Sequence, residues 1–232
     1  MAKSVKAILH PLAEWCVAHD VRRTAKIRRY LREHDVVKLQ LGSGIHVLEG
    51  WLNIDKSVSG CKAGAVYMDV GKRFLLPDDS VNYVYSEHLF EHLTLKQARN
   101  MLKECHRVMK TGAVMRLATP NIKFLADLYM HPEKEINKQY IEWAAKNNNL
   151  PISAVHVVNH FHTAWGHQII YDFDTLAALL REHGFEDVNQ CEMSKSEYEV
   201  FDNVEGHFYI MPYDFCCLET MILEARIMDK HI

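Results

Sequence analysis

The sequence feature that most constrains the fold is an apolar stretch that runs directly into a glycine turn. Residues 36–41 begin with two valines and then alternate polar and apolar side chains, a pattern typical of a buried strand. The turn that follows is Gly42-Ser43-Gly44. Because glycine lacks a Cβ atom, the backbone there can turn sharply and a ligand can approach it closely. The stretch predicts the first strand and the ligand loop of an open α/β sheet.

An acidic residue follows a second short strand, eleven residues after the turn. Residues 51–55 form this second predicted strand, and it ends in Asp55. In open α/β sheets, a glycine turn after the first strand and an acid after the second suit a ribose-bearing ligand. The pattern therefore predicts a nucleoside-containing ligand across the carboxyl ends of the strands.

Other nucleotide-binding classes fit this stretch less well. A dinucleotide fingerprint needs a third glycine where this chain has Val47. The ribose-binding acid of that fingerprint lies about 20 residues further on, whereas Asp55 follows the turn by eleven. A Walker A pattern is absent, and so is any Tyr-x-x-x-Lys pair. A NAD-dependent or nucleotide-sugar oxidoreductase of Rossmann type is therefore the weaker alternative.

Four motifs in chain order resemble those of class I S-adenosylmethionine-dependent methyltransferases, and within that class the type 11 group. Together they extend over roughly residues 36–190. They are residues 39–44 (LQLGSG) with 50–55 (GWLNID), Asp69 with residues 76–81 (LPDDSV), residues 85–93 (YSEHLFEHL), and residues 166–185, from Gly-His through Tyr-Asp to Gly-Phe.

The resemblance implies an α/β fold: a Rossmann-like, doubly wound, seven-stranded, mostly parallel sheet with an antiparallel last strand and helices on both faces. It implies S-adenosyl-L-methionine as cofactor. The methionine half is expected on the glycine turn, the ribose hydroxyls on the carboxylate of Asp55, and the adenine amino group near Asp69. The residues expected to bind the cofactor are Leu41, Gly42, Ser43, Gly44, Asp55, Lys56, Asp69, Val70, Ser86, Glu87 and His88.

The chain shows no break in composition, which predicts a single methyltransferase domain over residues 1–232. Residues 1–34 are expected to form an N-terminal helical cap, and residues 121–165 an insertion that covers the acceptor site. The cap carries a run of basic residues between Arg22 and Arg32. A solvated helix face explains this run better than contact with an anionic acceptor.

Composition excludes several classes of protein. A net charge of −3 gives no reason to expect nucleic acid as a partner. The six cysteines include no C-x-x-C pair, which favours free thiols in a reducing compartment. No run approaches 18 apolar residues, and the N-terminus lacks the apolar core of a signal peptide, so we expect a cytoplasmic protein.

Local signals predict several further elements. Thr94 and Gln97 form a capping box that opens a long helix, for which Lys110 and Gly112 are the expected end. Residues 194–217 are expected to be irregular. Residues 218–227 are predicted as the last, antiparallel strand.

Histidine supplies the candidate catalytic base. The chain has 15 histidines, and His167 is the first choice and His162 the second. His167 follows Gly166 and precedes an apolar pair, so it should lie at the edge of the buried structure beside the insertion. A neutral imidazole can accept the proton that a hydroxyl acceptor must lose.

His88, Glu91 and His92 form a candidate metal site. At i, i+3 and i+4 they share one face of a helical turn, and their ligand types suit zinc or another divalent transition metal. Isolated histidines are more often ordinary polar side chains. From the sequence we therefore expect no bound metal, with Glu91 orienting the loop and His92 packing beside the cofactor.

The sequence thus predicts an S-adenosylmethionine-dependent methyltransferase that methylates an oxygen atom of a small molecule. A sugar, a glycan or a similar metabolite is the expected acceptor by analogy with the family. The alternative outside enzyme chemistry is a non-catalytic protein that binds S-adenosylmethionine and acts as a partner subunit.

Overall fold

A seven-stranded sheet runs through residues 21–228, the part of the chain that the computed structural model describes. The order of the strands across the sheet is β3-β2-β1-β4-β5-β7-β6. Neighbours from β3 to β5 pair in parallel, and β7 pairs antiparallel with both β5 and β6. The predicted fold class is confirmed. The strands are β1 (Lys38–Leu41), β2 (Leu52–Asp55), β3 (Val66–Tyr67), β4 (Val81–Glu87), β5 (Met109–Pro120), β6 (Glu186–Cys191) and β7 (Thr220–Arg226).

Helices surround the sheet. Within the described residues they are α1 (Arg23–Glu33), α2 (Val58–Ala63), α3 (Leu95–Val108), α4 (Ile122–Met130), α5 (Glu135–Asn148), α6 (Ala154–Thr163), α7 (Phe173–Glu182) and α8 (Tyr213–Glu219). None of the helices between residues 21 and 228 has the length and the apolar character that a membrane crossing requires.

The two faces of the sheet bury different cores, because successive side chains of a strand point to opposite sides. On β5, Met115 and Leu117 join the large core that α3 and α7 cover. Ala118, on the other face, joins a second core formed by α4, α5, α6 and α8. This second core is the one that lies beside the candidate site.

The start of α3 follows the prediction, but its end does not. Thr94 and Gln97 form the capping box at the N-terminus. The helix ends at Val108, and Met109 already pairs with Val81 in the sheet, so the predicted end at Lys110 and Gly112 is wrong. Gly112 does have a positive φ of 79°, but it lies within β5, where its N–H donates to the carbonyl of Ile227.

The terminal and inserted segments differ in how closely they match the prediction. Residues 1–20 of the predicted cap lie outside the described residues, and α1 forms the remainder. The stretch 121–165, predicted as an insertion, contains α4, α5 and α6. The segment predicted as irregular contains α8, and the predicted last strand is antiparallel, as expected.

One buried arginine links the sheet to the long segment between β6 and α8. Arg116 on β5 has no solvent exposure and contacts the carboxylates of Glu205 at 2.6 Å and Glu224 at 2.5 Å. Its guanidinium also donates to the backbone carbonyls of Lys195 and Glu192. Because the planar guanidinium donates four hydrogen bonds at once, the segment has a fixed position over the sheet.

We expect Arg116→Met to lower the free energy of unfolding by about 3–5 kcal/mol, because it leaves buried carboxylates without their cation. Arg99→Met is the matched control, since Arg99 and Glu182 are each about half exposed, at 49% and 54%, and lie 3.3 Å apart. Exposed pairs of this kind contribute about 1 kcal/mol or less. Urea denaturation measures both losses, and equal losses would contradict the assignment of Arg116 as the anchor of this segment.

Candidate functional site

The glycine turn after β1 leaves open space above its backbone. Gly42 and Gly44 have φ values of 70° and 52°, and the N–H groups of Gly42 and Ser43 both donate to the carbonyl of Ile54 on β2. A Cβ atom on Gly42 would lie 2.8 Å from Leu89. A Cβ atom on Gly44 would meet no described atom within 4 Å. The turn is therefore packed on one side and accessible to a ligand on the other.

Asp55, at the end of β2, is fixed beside this turn. One carboxylate oxygen accepts the N–H of Gly44 at 2.8 Å, and the other accepts the N–H of Ser57 at 2.6 Å. A carboxylate offers about four acceptor positions, so two stay available for the hydroxyls of a ribose. The site therefore fits a nucleoside. Lys56, the next residue, is exposed.

The other residues expected around the cofactor have different environments. Asp69 follows β3, accepts the N–H of Gly71 at 3.0 Å and keeps its side chain 24% exposed. Leu41 and Val70 are buried in the main core, so their side chains are not accessible to a ligand. Ser86 is also buried, and its hydroxyl has no hydrogen-bond partner among the described residues.

The side chain of Glu87 holds another part of the chain. Its carboxylate accepts the N–H groups of Gly206 and His207, which lie on the segment anchored by Arg116. Only the backbone of Glu87 therefore stays a candidate for contact with the cofactor.

His88 turns the chain at the end of β4 and places its ring between two groups. Its φ of 44° lies in the left-handed region, which is strained for a residue with a bulky side chain. Nδ1 lies 3.2 Å from Glu91, and Nε2 lies 3.3 Å from the hydroxyl of Thr220. The ring of His207 stacks on it at 3.7 Å between centroids.

A cavity of about 330 Å³ opens at the carboxyl ends of β4 and β5, beneath the helices of the insertion. Its polar lining includes His88, Glu91, His92, His160, His167, His207 and Glu219, and its aromatic lining includes Tyr140, Trp143, Phe161 and Trp165. The sequence did not single out His207, which lies in the stretch predicted as irregular, or Glu219, which lies in the predicted last strand. The cavity has the volume and the mixed lining of a small-molecule site.

Glu91 is the central polar residue of this cavity, and its side chain has no solvent exposure. One carboxylate oxygen accepts the hydroxyl of Thr119 at 3.2 Å. The other, Oε1, has no hydrogen-bond partner in the described part of the chain. The backbone carbonyl of Glu91 accepts the N–H groups of Gln168 and Ile169, which brings His167 into the site.

His167 has a defined tautomer. Its Nδ1 lies 2.7 Å from the carbonyl of Phe161, and because a carbonyl only accepts, Nδ1 carries the proton. Nε2 therefore has a free lone pair. Burial lowers the pKa of His167, which favours the neutral ring. His162, the second candidate base, is exposed on α6 and does not line the cavity, so the structure does not support it.

Glu91 and His88 influence each other's ionisation. Burial by itself would lower the pKa of His88 and raise that of Glu91. Their mutual contact has the opposite effect and outweighs burial, so that the pKa of His88 is raised and that of Glu91 is lowered. The contact therefore favours the charged form of both groups.

Part of the chain matches a known methyltransferase family. The profile of the family described as "Methyltransferase domain" matches residues 55–117. The match includes Asp55, Asp69 and the residues from Ser86 to His92, and the glycine turn lies just before it. The resemblance predicted from the sequence is confirmed over these residues, and S-adenosylmethionine is the cofactor that it implies. No curated protein matches the chain significantly.

Solved structures share the fold at low sequence identity. A chain of the complex between the Haloferax volcanii Trm112 methyltransferase activator and a methyltransferase is 13% identical, with a TM-score of 0.50 and coverage of 94% of this chain and 98% of that chain. A S-adenosylmethionine-dependent methyltransferase from Archaeoglobus fulgidus is 16% identical, covers 88% and 92% of the two chains and has a TM-score of 0.47. One from Mesorhizobium loti is 15% identical, covers 85% and 96%, and has a TM-score of 0.49.

Proposed function

We propose that this chain, which carries a methyltransferase domain on a class I fold, transfers the methyl group of S-adenosylmethionine to an oxygen atom of a small acceptor. The observation that carries the proposal is the position of the cavity. It lies at the ends of β4 and β5, next in the sheet to the glycine turn and Asp55 at the ends of β1 and β2. A cofactor lying across the turn would therefore present its methyl group to the cavity.

The reaction is a displacement at the methyl carbon. The acceptor oxygen loses its proton and forms a bond to this carbon, and the carbon–sulfur electron pair stays on sulfur, which gives S-adenosylhomocysteine. Since the sulfonium is a good leaving group, the protein contributes mainly alignment and the exclusion of water. The aromatic wall of the cavity supports both contributions.

The acceptor is a sugar, a glycan or a similar hydroxyl-bearing metabolite. Aromatic side chains such as Trp143 and Trp165 can pack against the apolar face of a ring, while the histidines and Glu219 are available to its hydroxyls. This lining supports a neutral, polar ring as acceptor.

His167 is the residue to which we assign the largest effect on proton removal. Its Nε2 lone pair is free because Nδ1 donates to Phe161. The ring also lies in the cavity, 4.8 Å from the ring of His92 between centroids. General bases contribute about 10²–10⁴-fold to the rate.

We expect micromolar affinity for S-adenosylmethionine, about −8 kcal/mol, and a loss of at least about tenfold in Asp55→Ala, because the ribose hydroxyls lose their acceptor. Gly42→Val should weaken binding as well, since its Cβ would lie 2.8 Å from Leu89. Gly112→Val is the control, because Gly112 has a similar φ of 79° but no atom within 4 Å of such a Cβ. Calorimetry measures all three variants, and unchanged affinity in Asp55→Ala and Gly42→Val would refute the cofactor site.

We expect His167→Ala to keep its affinity for S-adenosylmethionine and to lower turnover by at least about 10²-fold. His162→Ala, which changes an exposed histidine outside the cavity, should keep full turnover. Formation of S-adenosylhomocysteine with a panel of sugar and glycan acceptors measures the rate. Full turnover in His167→Ala would remove this residue from the mechanism. Cofactor binding without turnover on any acceptor would instead indicate the non-catalytic alternative.

A further inference from the structure

We propose that Glu91, His92 and His167 bind one divalent transition-metal ion. Each residue offers one ligand atom, and these atoms lie within 4.8 Å of one another. Metal–ligand bonds of about 2.0–2.2 Å place ligand atoms within roughly 4 Å of each other, so small side-chain rotations would close the three residues around an ion. Two imidazoles and one carboxylate suit Zn²⁺ and its neighbours in the transition series.

The buried carboxylate of Glu91 is the second, independent sign of a ligand. Its Oε1 makes no hydrogen bond of regular geometry among residues 21–228, although the side chain has no solvent exposure, and Nδ1 of His88 lies 3.2 Å from it. A buried carboxylate oxygen with so little compensation is costly, and a bound cation would remove that cost. Oε1 also lies 3.9 Å from Nε2 of His92, within the cluster that would hold the ion.

Hydrogen bonds around the cluster already orient its ligands. Metal-binding histidines usually donate their other ring N–H to a carbonyl or a carboxylate, and His167 donates to the carbonyl of Phe161 in this way. The remaining carboxylate oxygen of Glu91 is likewise held by the hydroxyl of Thr119. Both ligands are therefore oriented in advance. Their potential coordinating atoms are Nε2 of His167 and Oε1 of Glu91.

A second group of potential ligands, His88, His207 and Glu219, is less suitable. The carboxylate of Glu219 already accepts the hydroxyl of Tyr140 and lies 3.5 Å from His207. The rings of His88 and His207 stack on each other, and Nε2 of His88 faces Thr220. The second group is therefore held by contacts among its own side chains and with Tyr140 and Thr220, whereas Oε1 of Glu91 makes no regular hydrogen bond among the described residues.

The ion would complete the acceptor site. Three protein ligands leave a coordination position open toward the cavity, where an acceptor hydroxyl would bind and lose its proton to solvent more readily. This role rests on the proposed function, whereas ion binding does not. Without the ion, Nε2 of His167 is the base proposed above; with the ion bound it would be a ligand, so loss of His167 slows transfer in both cases.

Titration of the metal-depleted, full-length protein with Zn²⁺ alone tests the proposal by calorimetry. We expect one ion per chain in the wild type and a loss of affinity of more than about 10²-fold in Glu91→Gln, His92→Ala and His167→Ala, since even outer-shell changes cost 10–100-fold. His162→Ala and His207→Ala are the controls and should bind as the wild type does. The visible absorption of the Co²⁺-loaded protein reports coordination independently of activity, and thermal unfolding shows whether each variant is folded.

Absence of Zn²⁺ binding and of Co²⁺ bands in the wild type would overturn the proposal. Loss of binding in His207→Ala, with binding retained in the other three variants, would overturn it as well, because the ion would then lie on the second group. S-adenosylmethionine is titrated into the same samples. A protein that binds the cofactor but no ion would refute this inference alone, and one that binds the ion but no cofactor would refute only the proposed function.

Discussion

The candidate active site depends on the position of Glu91. Its carbonyl holds the segment that carries His167, one carboxylate oxygen accepts the hydroxyl of Thr119 at the end of β5, and the other lies 3.2 Å from His88 and 3.9 Å from His92. A carboxylate with no exposure would be costly without such surroundings. The residues around it come from the turn after β4, from β5 and from the segment between α6 and α7, so one residue connects three separate parts of the chain.

The contacts of Arg116 and Glu87 with residues 205–207 position another part of the cavity wall. Arg116 pairs with Glu205, and the carboxylate of Glu87 accepts the N–H groups of Gly206 and His207, the two residues after Glu205. The result is that His207 stacks on His88 and lies 3.5 Å from Glu219. The buried ion pairs of Arg116 and the hydrogen bonds of Glu87 thereby help to place the polar wall of the acceptor cavity.

The parts of this structure that depend on local sequence were predictable, and those that depend on distant contacts were not. The glycine turn, Asp55 and the capping box at Thr94 follow from neighbouring residues. The end of α3 does not, because pairing of Met109 with Val81 starts β5 before the glycine signal at Gly112. The sequence indicated His167, but nothing local indicated that backbone hydrogen bonds to Glu91 would bring it beside His92. His207 lies in a stretch without a periodic signal, and Glu219 was assigned to the predicted last strand although it ends α8.

A crystal structure of the protein with S-adenosylhomocysteine tests the position of the cofactor most directly. We expect the ribose hydroxyls on Asp55, the amino acid portion along Gly42 to Gly44, and the sulfur atom facing the cavity that contains Glu91 and His167. A nucleoside bound elsewhere, or a sulfur atom turned away from this cavity, would refute the proposed cofactor and acceptor sites.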